Sequence, residues 1–518
     1  MSGIRASAAI LLACALTAFA AKPPLSEEAK TERNRAATAE FFAGAIQELH
    51  IELGDEQMKS LRDEPRRYVE GALNEEGNSI KRVAIKLKGA SGSFKPIDER
   101  PCFTIHLDKF KGAARFHGMR KFHLNNANED PSFLRQIVSG EMMRAAGVPA
   151  LRATHVLLSL NARDLGLYVL TESYTQDFLA EHFSDPTGDV YESGFVKDID
   201  EELQKDEGDK KDFRAIEQLL AACRTEDAAE RWKGLRAILD VERFASFLAM
   251  EALLGVADGY DFYRNNYRIY HDPRTRRLSF IPHGLDQPLG EMEFPIQKQP
   301  ESIVGRAFVS CPEGRALYRE RVAKLHARVF TKYDWPARTG ELARKAQTAL
   351  GAKKAKPLAE PMADLRRLVA GRTQWIAEQL AEMPEPLEFD KTGVARIAKG
   401  WTTKQEGGAK FERAAASLRI VAEGGTQASW RAPLQLAGGR YRFEARVKTV
   451  GVAEGEGVCL RISGSDPAGG WIAGDAPWKA AHYEFEVAED GGDVVLVAEL
   501  RAGRGEAWFD AMRLVRVK

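Results

Sequence analysis

The chain carries no excess charge of either sign: Lys and Arg together number 75, and Asp and Glu together number 75. Without a net field there is no general attraction to nucleic acid or to an anionic membrane, and both are set aside as partners. Beyond its first twenty residues the sequence lacks any run approaching the roughly 20 apolar residues of a membrane span. Cysteine is scarce, at five. Cys102, Cys223, Cys311 and Cys459 lie far apart, so no pair has zinc-site spacing, and disulfides and buried thiols both stay open for them. His106, His117, His123, His155, His271 and His283 likewise have no close-spaced ligand partner. They read as structural histidines.

What is present begins with a targeting segment. Arg5 precedes an apolar run from Ala8 to Ala20, and Ala18-Phe19-Ala20 has the small-x-small form of a signal-peptidase site. Residues 1–20 are read as a signal peptide, with export to the periplasm, the cell surface or the extracellular space. Cys14 is not placed as a lipoprotein acceptor, because the apolar run continues past it. Residues 21–48 are read as a mobile leader. From there, 44% hydrophobic and 29% charged residues describe an ordinary globular protein of two or three domains.

Alternation predicts strands at His50–Leu53, Tyr68–Leu73, Lys81–Lys88, Cys102–Leu107, His155–Leu160 and Gly166–Thr171, with a helix over Pro131–Ala146. This is an α+β lobe, about 49–175. A charged segment, Lys197–Asp212, reads as exposed and mobile. Helical spacing dominates about 195–385, and Pro384-Glu385-Pro386 marks a boundary. Residues 387–518 carry short alternating strands between glycine-rich turns, which predict a β-sandwich of jelly-roll type. Trp508 and Phe509 are expected in its core. Trp471 and Trp478, in a loop, are the candidates for stacking on a sugar.

The chemistry is placed between Gly255 and Gly290. Two runs, Asn266–Tyr270 and Leu278–Pro282, flank the turn HDPRTRR and predict a hairpin. Its open end gathers Asp258, Asn265, Asn266 and Asp286. Carboxylates and amides converging there are hard oxygen ligands, the set that holds Mg²⁺ against phosphates. Asp and Asn at strand ends are also ordinary turn formers.

These residues sit in a longer series: KGASGSF at Lys88–Phe94, FHGMRKFHLNNANEDPSFLR at Phe116–Arg135, AAGVPA at Ala145–Ala150, LNARDLGLYVLTE at Leu160–Glu172, and DGY…NNYRIY…PHGLDQ. In this order they resemble the spore-coat protein H (CotH) kinase-like family. The resemblance implies an atypical kinase of two lobes, one sheet-rich and one helical, with Mg-ATP (or Mn²⁺) between them. It implies Asp258 as the acid that orients the acceptor hydroxyl, Asp286 as the metal ligand, and Asn265 or Asn266 as the amide ligand. Arg100, before Pro101, stands where the family has a nucleotide-contacting Lys, and Gly284 stands where it often has a further acid. Val83-Ala84-Ile85-Lys86 spells a kinase strand motif, so Lys86 is a second candidate for the phosphates. Glu141 is the candidate partner of Arg100 or Lys86, and Glu172 a candidate on the adenine side. Asp130 and Arg135 read as helix-capping structure. The implied function is phosphorylation of Ser or Thr on an exported protein. Its alternatives are a non-catalytic kinase-fold surface or assembly protein, and a carbohydrate-active hydrolase using Asp258 and Asp286.

Overall fold

Alternating apolar side chains close the N-terminal half into a barrel. The computed structural model describes residues 26–90, 92–110, 114–192, 194–207, 212–297, 299–382, 387, 389–414, 417–467, 470–487 and 491–517. The expected signal peptide and the Pro384–Pro386 boundary lie outside the described residues. Helix α1 (Glu27–Ala43) leads into β1 (Gln47–Glu52), α2 (Asp55–Asp63), β2 (Val69–Glu75), β3 (Asn78–Lys88), β4 (Cys102–His106), β5 (Lys121–Asn125), α3 (Arg135–Ala145), β6 (Ala153–Leu160) and β7 (Arg163–Glu172). The strand order is β1-β2-β3-β4-β5-β7-β6, and parallel pairing of β1 with β6, Gln47 opposite Val156, closes it. Val83, Ile85 and Leu87 of β3 fill the barrel with Phe103, Ile105, Phe122 and Leu124. With a period of two, Lys86 and Lys88 fall on the outer face.

Two expectations change here. Strand β5 lies inside the FHGMRKFHLNN motif and was not anticipated. The leader is helical from Glu27 and docked: Ser26 Oγ accepts from Ala29 N at 3.2 Å as an N-cap, and Thr38 Oγ1 donates to His117 O at 2.8 Å. The approach is so close that a Cβ on Gly118, itself at φ +83°, would lie 2.1 Å from Asn34 O. Only glycine fits there.

The next part is α4 (Gln176–His182), β8 (Asp189–Glu192), β9 (Gln204–Glu207), α5 (Arg214–Cys223), α6 (Ala228–Ile238), α7 (Val241–Leu254), α8 (Tyr260–Tyr263), β10 (Tyr267–Asp272), β11 (Arg277–Pro282), α9 (Ile303–Ser310), α10 (Pro312–Leu325), α11 (Trp335–Ala355) and α12 (Ala359–Glu382). The predicted hairpin is β10–β11, extended into a sheet of order β11-β10-β8-β9. The charged segment is not simply exposed. Asp198, Ile199 and Leu203 are buried, and Gln204 pairs with Glu192 in the sheet; residues 208–211 lie outside the described residues. Helix α7 is buried on every side from Phe244 to Leu254, which is why its sequence is apolar all round. Phe244 and Phe247 pack on Phe280 of the hairpin, with ring centroids 4.8 and 5.8 Å apart. Gly255, at φ +62°, ends the helix and turns the chain toward Asp258. Below this turn the buried Arg372 donates to the carbonyls of Ala252, Leu253, Met292 and Phe294.

The C-terminal region is all β: β12 (Val394–Arg396), β13 (Thr402–Glu406), β14 (Ala409–Ala414), β15 (Ser417–Leu436), β16 (Gly439–Ala453), β17 (Gly457–Ile462), β18 (Gly474–Val487) and β19 (Gly492–Val517). Its antiparallel order is β13-β15-β19-β16-β18, with β12 and β17 on β19 and β14 on β15. Ile420, Phe443, Leu496 and Phe509 belong to a core of its own. Where short strands between glycine-rich turns are expected, β19 runs as one strand from Gly492 to Val517. Trp508 is half-buried rather than in the core, with Arg419 and Lys448 over its ring at 5.1 and 5.0 Å. Cys102, Cys223, Cys311 and Cys459 are all free thiols.

Candidate functional site

The hairpin meets the barrel at a cavity of about 830 Å³. One wall is the outer barrel face, with Lys88 of β3, Cys102 of β4, His123 and Asn125 of β5 and Thr171 of β7. The other wall holds Asp258, Asn265, Asn266, Arg268, His283 and Asp286. The glycine-rich turn after Lys88 (Gly89, Ala90 and Ser93) and Glu129 close one rim. A cavity of this size lies in the range of small-molecule sites.

The Asp258 side chain is held by its neighbours in sequence. Asn265 Nδ2 donates to Asp258 Oδ1 at 3.0 Å, and Asn266 Nδ2 donates to Oδ2 at 2.7 Å and to the backbone oxygen at 2.9 Å. Beneath it, the buried Glu251 of α7 accepts the backbone N–H groups of Tyr260 and Asp261 at 3.0 and 2.9 Å. A Cβ on Gly259 would lie 2.5 Å from Glu251 Oε1, so the acid packs directly against that glycine. Tyr260 Oη donates to Asp198 Oδ1 at 2.9 Å, and Asp198 Oδ2 accepts from Ile303 N at 2.8 Å. Two buried acids thus fix the turn that presents Asp258. Burial pushes the Glu251 carboxyl well above the usual carboxylate range, with Asp261 adding to the rise and the two backbone donors opposing it.

Asp286 and Lys88 face each other electrostatically across the cavity. Burial raises the Asp286 carboxyl above its ordinary range; its own backbone N–H and the Lys88 ammonium oppose this, and Asp258 adds to it. Burial lowers the Lys88 ammonium, with Cys102 and Asp286 opposing. Lys88 Nζ donates to Asn125 Oδ1 at 2.8 Å. Glu129 is raised by burial and then by Asp286 and Asp258, so three acids share one field. Burial holds His123 and His283 well below the usual histidine range, so both are neutral cavity walls. Arg268 is buried and pairs with Glu192 at 2.6 Å.

Asp258, Asn265, Asn266 and Asp286 therefore come together, while the expected nucleotide-binding set does not join them. Arg100 donates to the carbonyls of Leu165 and Leu167 at 3.1 and 2.8 Å and lies over Tyr168, which holds it on β7 and off the cavity lining. Lys86 lies over the Tyr68 ring at 4.9 Å, off the cavity lining. Glu141 pairs with neither of them; it meets Arg338 of α11 at 2.8 Å. Glu172 pairs with Arg152 at 2.8 Å, and its neighbour Thr171 lines the cavity instead. Asp130 Oδ2 accepts from Arg135 N at 2.8 Å, a structural cap for α3. His106 and His117 pair with Asp108 and Glu75, whereas His123 and His283, also read as structural, line the cavity.

Sequence reasoning missed Lys88, Arg268 and Glu129 as cavity residues. Lys88 sat in the quoted KGASGSF motif, directly before the glycines; its position two residues after Lys86 was the available signal. Gly284 also changes meaning. It sits at φ +55°, and a Cβ there would lie 2.6 Å from Asn266 Oδ1, so the space for a side chain is taken by Asn266. In the C-terminal region Trp478 lies within strand β18 rather than in a loop; it is exposed, with Arg446 over its ring at 5.3 Å, and Trp471, outside the strands, carries Arg501 at 5.0 Å.

Residues 85–353 match the family model described as CotH kinase protein. Among curated proteins, the inner spore coat protein H of Bacillus subtilis (strain 168) is 23% identical over 189 residues, 34% of this chain and 51% of that protein, so the chain spans about half the length of this relative. Among solved structures, TmCBM61 in complex with β-1,4-galactotriose is 14% identical with a TM-score of 0.18, covering 23% of this chain and 90% of that one. The C-terminal family 22 carbohydrate binding module of Clostridium thermocellum Xyn10B is 15% identical with a TM-score of 0.18, covering 25% and 96%.

Proposed function

This chain belongs to the CotH kinase protein family, and from that membership we propose that it transfers the γ-phosphate of ATP to Ser or Thr hydroxyls of an exported protein. The observation that carries the reading is the convergence of Asp258, Asp286, two amides and Lys88 on one cavity. In it Asp258 orients the acceptor hydroxyl and takes its proton, held in place by the Asn265 and Asn266 amides. Lys88, rather than Arg100, meets the phosphates, with Gly89, Ala90 and Ser93 beside it on the cavity rim.

The donor chemistry fits a hard divalent cation. Among the described residues no three His, Cys, Asp or Glu side chains form a metal cage. Mg²⁺ does not need one, since it is commonly held by one or two carboxylates together with substrate phosphates and waters. Asp286 would hold it, with the amide oxygen of Asn265 or Asn266 as the second protein donor. When bound, the ion supplies charge neutralisation on the phosphates.

Lys88 in the cavity supports turnover over a purely non-catalytic fold, because the cation that Arg100 does not supply is present. The amide clamp on Asp258 favours hydroxyl orientation over the carboxylate pair of a hydrolase. Export through the N-terminal segment, and a sugar ligand stacked on the exposed Trp478, complete the proposal for the whole chain. The test is transfer of label from γ-labelled ATP to a hydroxyl-bearing acceptor protein. Transfer that is lost in Asp258→Asn supports the reading; label incorporation that persists in Asp258→Asn sinks it.

A further inference from the structure

A second cavity, of about 620 Å³, borders the turn that presents Asp258 through Arg264. Arg224, Arg231, Arg264 and Arg306 line it, drawn from the end of α5, from α6, from the Asp258 turn and from α9. Two carboxylates oppose these four cations, and both are already engaged. Asp198 accepts from Tyr260 Oη and from the backbone N–H groups of Ile199 and Ile303. Asp200 pairs with Arg224 at 3.4 Å in an exposed contact.

Arg264 stands apart from the other three. It makes no side-chain hydrogen bond or ion pair with the described residues, and its buried Nε has no partner. The buried Nε of Arg231 is also unsatisfied. Four guanidiniums against two carboxylates leave this lining with an excess of positive charge that an anion would neutralise. Planar guanidinium forks match the oxygens of a phosphate. Arg264 also adjoins Asn265, the residue that donates to Asp258, in a stretch where Arg264 and Asn266 both have positive φ (+54° and +53°).

We propose that this arginine cavity binds a phosphate group, and that its occupancy steadies residues 264–266 and with them the Asp258 side chain. The ligand is a dianionic phosphate, either free or carried on a phosphorylated residue.

The test uses the full chain with Lys88→Met, which removes the cation of the main cavity, titrated calorimetrically with inorganic phosphate and with a phosphoserine peptide. Binding is expected to persist in Lys88→Met. It should weaken at least about tenfold in Arg264→Ala and in the pair Arg224→Ala with Arg306→Ala, as the loss of charge-assisted hydrogen bonds predicts. Arg224 and Arg306 are exposed, so the pair keeps the fold even if Arg264→Ala does not. Tighter binding of the peptide assigns a carried phosphate, and equal binding assigns a free one; either supports the site. Hydrogen exchange across 258–266 should slow on phosphate binding. Absence of binding at millimolar phosphate, unchanged affinity in the paired variant, equal displacement by chloride at matched ionic strength, or unchanged exchange overturns the proposal. None of these outcomes depends on ATP, so they separate from the kinase reading.

Discussion

Lys88 and Arg100 carry the same charge and differ in what holds them. Arg100 is engaged by two backbone carbonyls and an aromatic ring; Arg100→Ala is therefore expected to cost about 1–3 kcal/mol of stability in a denaturant titration and to leave nucleotide affinity unchanged. Lys88→Met should do the reverse, weakening ATP at least about tenfold with little loss of stability. Gly284→Asp, which restores the acid often found in the family, is expected to lower stability by roughly 1–3 kcal/mol, because an Asp there meets both a positive φ and the Asn266 side chain. A gain of phosphoryl transfer in that variant would contradict the geometry. Asp286 carries the pH dependence. Its folded carboxyl is raised above the unfolded value, so without metal its contribution to stability is fully present below the unfolded value and is lost as pH rises through the folded one. Asp286→Asn should therefore raise the melting temperature of the metal-free protein at neutral pH. In the native chain, Mg²⁺ affinity should fall as pH drops into the raised range, and a flat profile would count against Asp286 as the ligand. The acids of this site were legible because they bracket a hairpin. The cations were not, since which of Lys86, Lys88 and Arg100 reaches the cavity depends on barrel geometry that composition does not carry.

Elements show the same division. The β10–β11 hairpin could be read from its alternation and its Asp-Pro turn, and helix α7 from an apolar run that matches its complete burial. Strand β5 was obscured because KFHLN is short and runs into a cap-rich break. The long β19 was read as separate strands because Gly503 and Gly505 look like a turn where the chain in fact continues in pairing. Helix α1 looked like a leader because its surface is mostly polar and one buried aromatic, Phe41, anchors it. Its docking gives a direct check. Gly118→Ala should prevent α1 from seating against the barrel, seen as faster hydrogen exchange across residues 27–43 with the exchange of α7 unchanged.

For the whole molecule, the cavity is formed only when barrel and hairpin sheet meet, so its chemistry belongs to neither alone. The C-terminal β region has its own core, and none of its described residues lines that cavity. That multidomain plan was legible in the composition change near Leu387. The closure of the first sheet into a barrel was not, because it rests on parallel pairing between strands over a hundred residues apart. Nucleotide binding across the barrel and the hairpin is the claim on which the rest depends. Titration of Mg-ATP into the protein by calorimetry tests it most directly. Saturable, metal-dependent binding that is abolished in Asp286→Ala, weakened in Lys88→Met and retained in Arg100→Ala is the predicted result. No binding at millimolar Mg-ATP, or equal binding by all three variants, would contradict it.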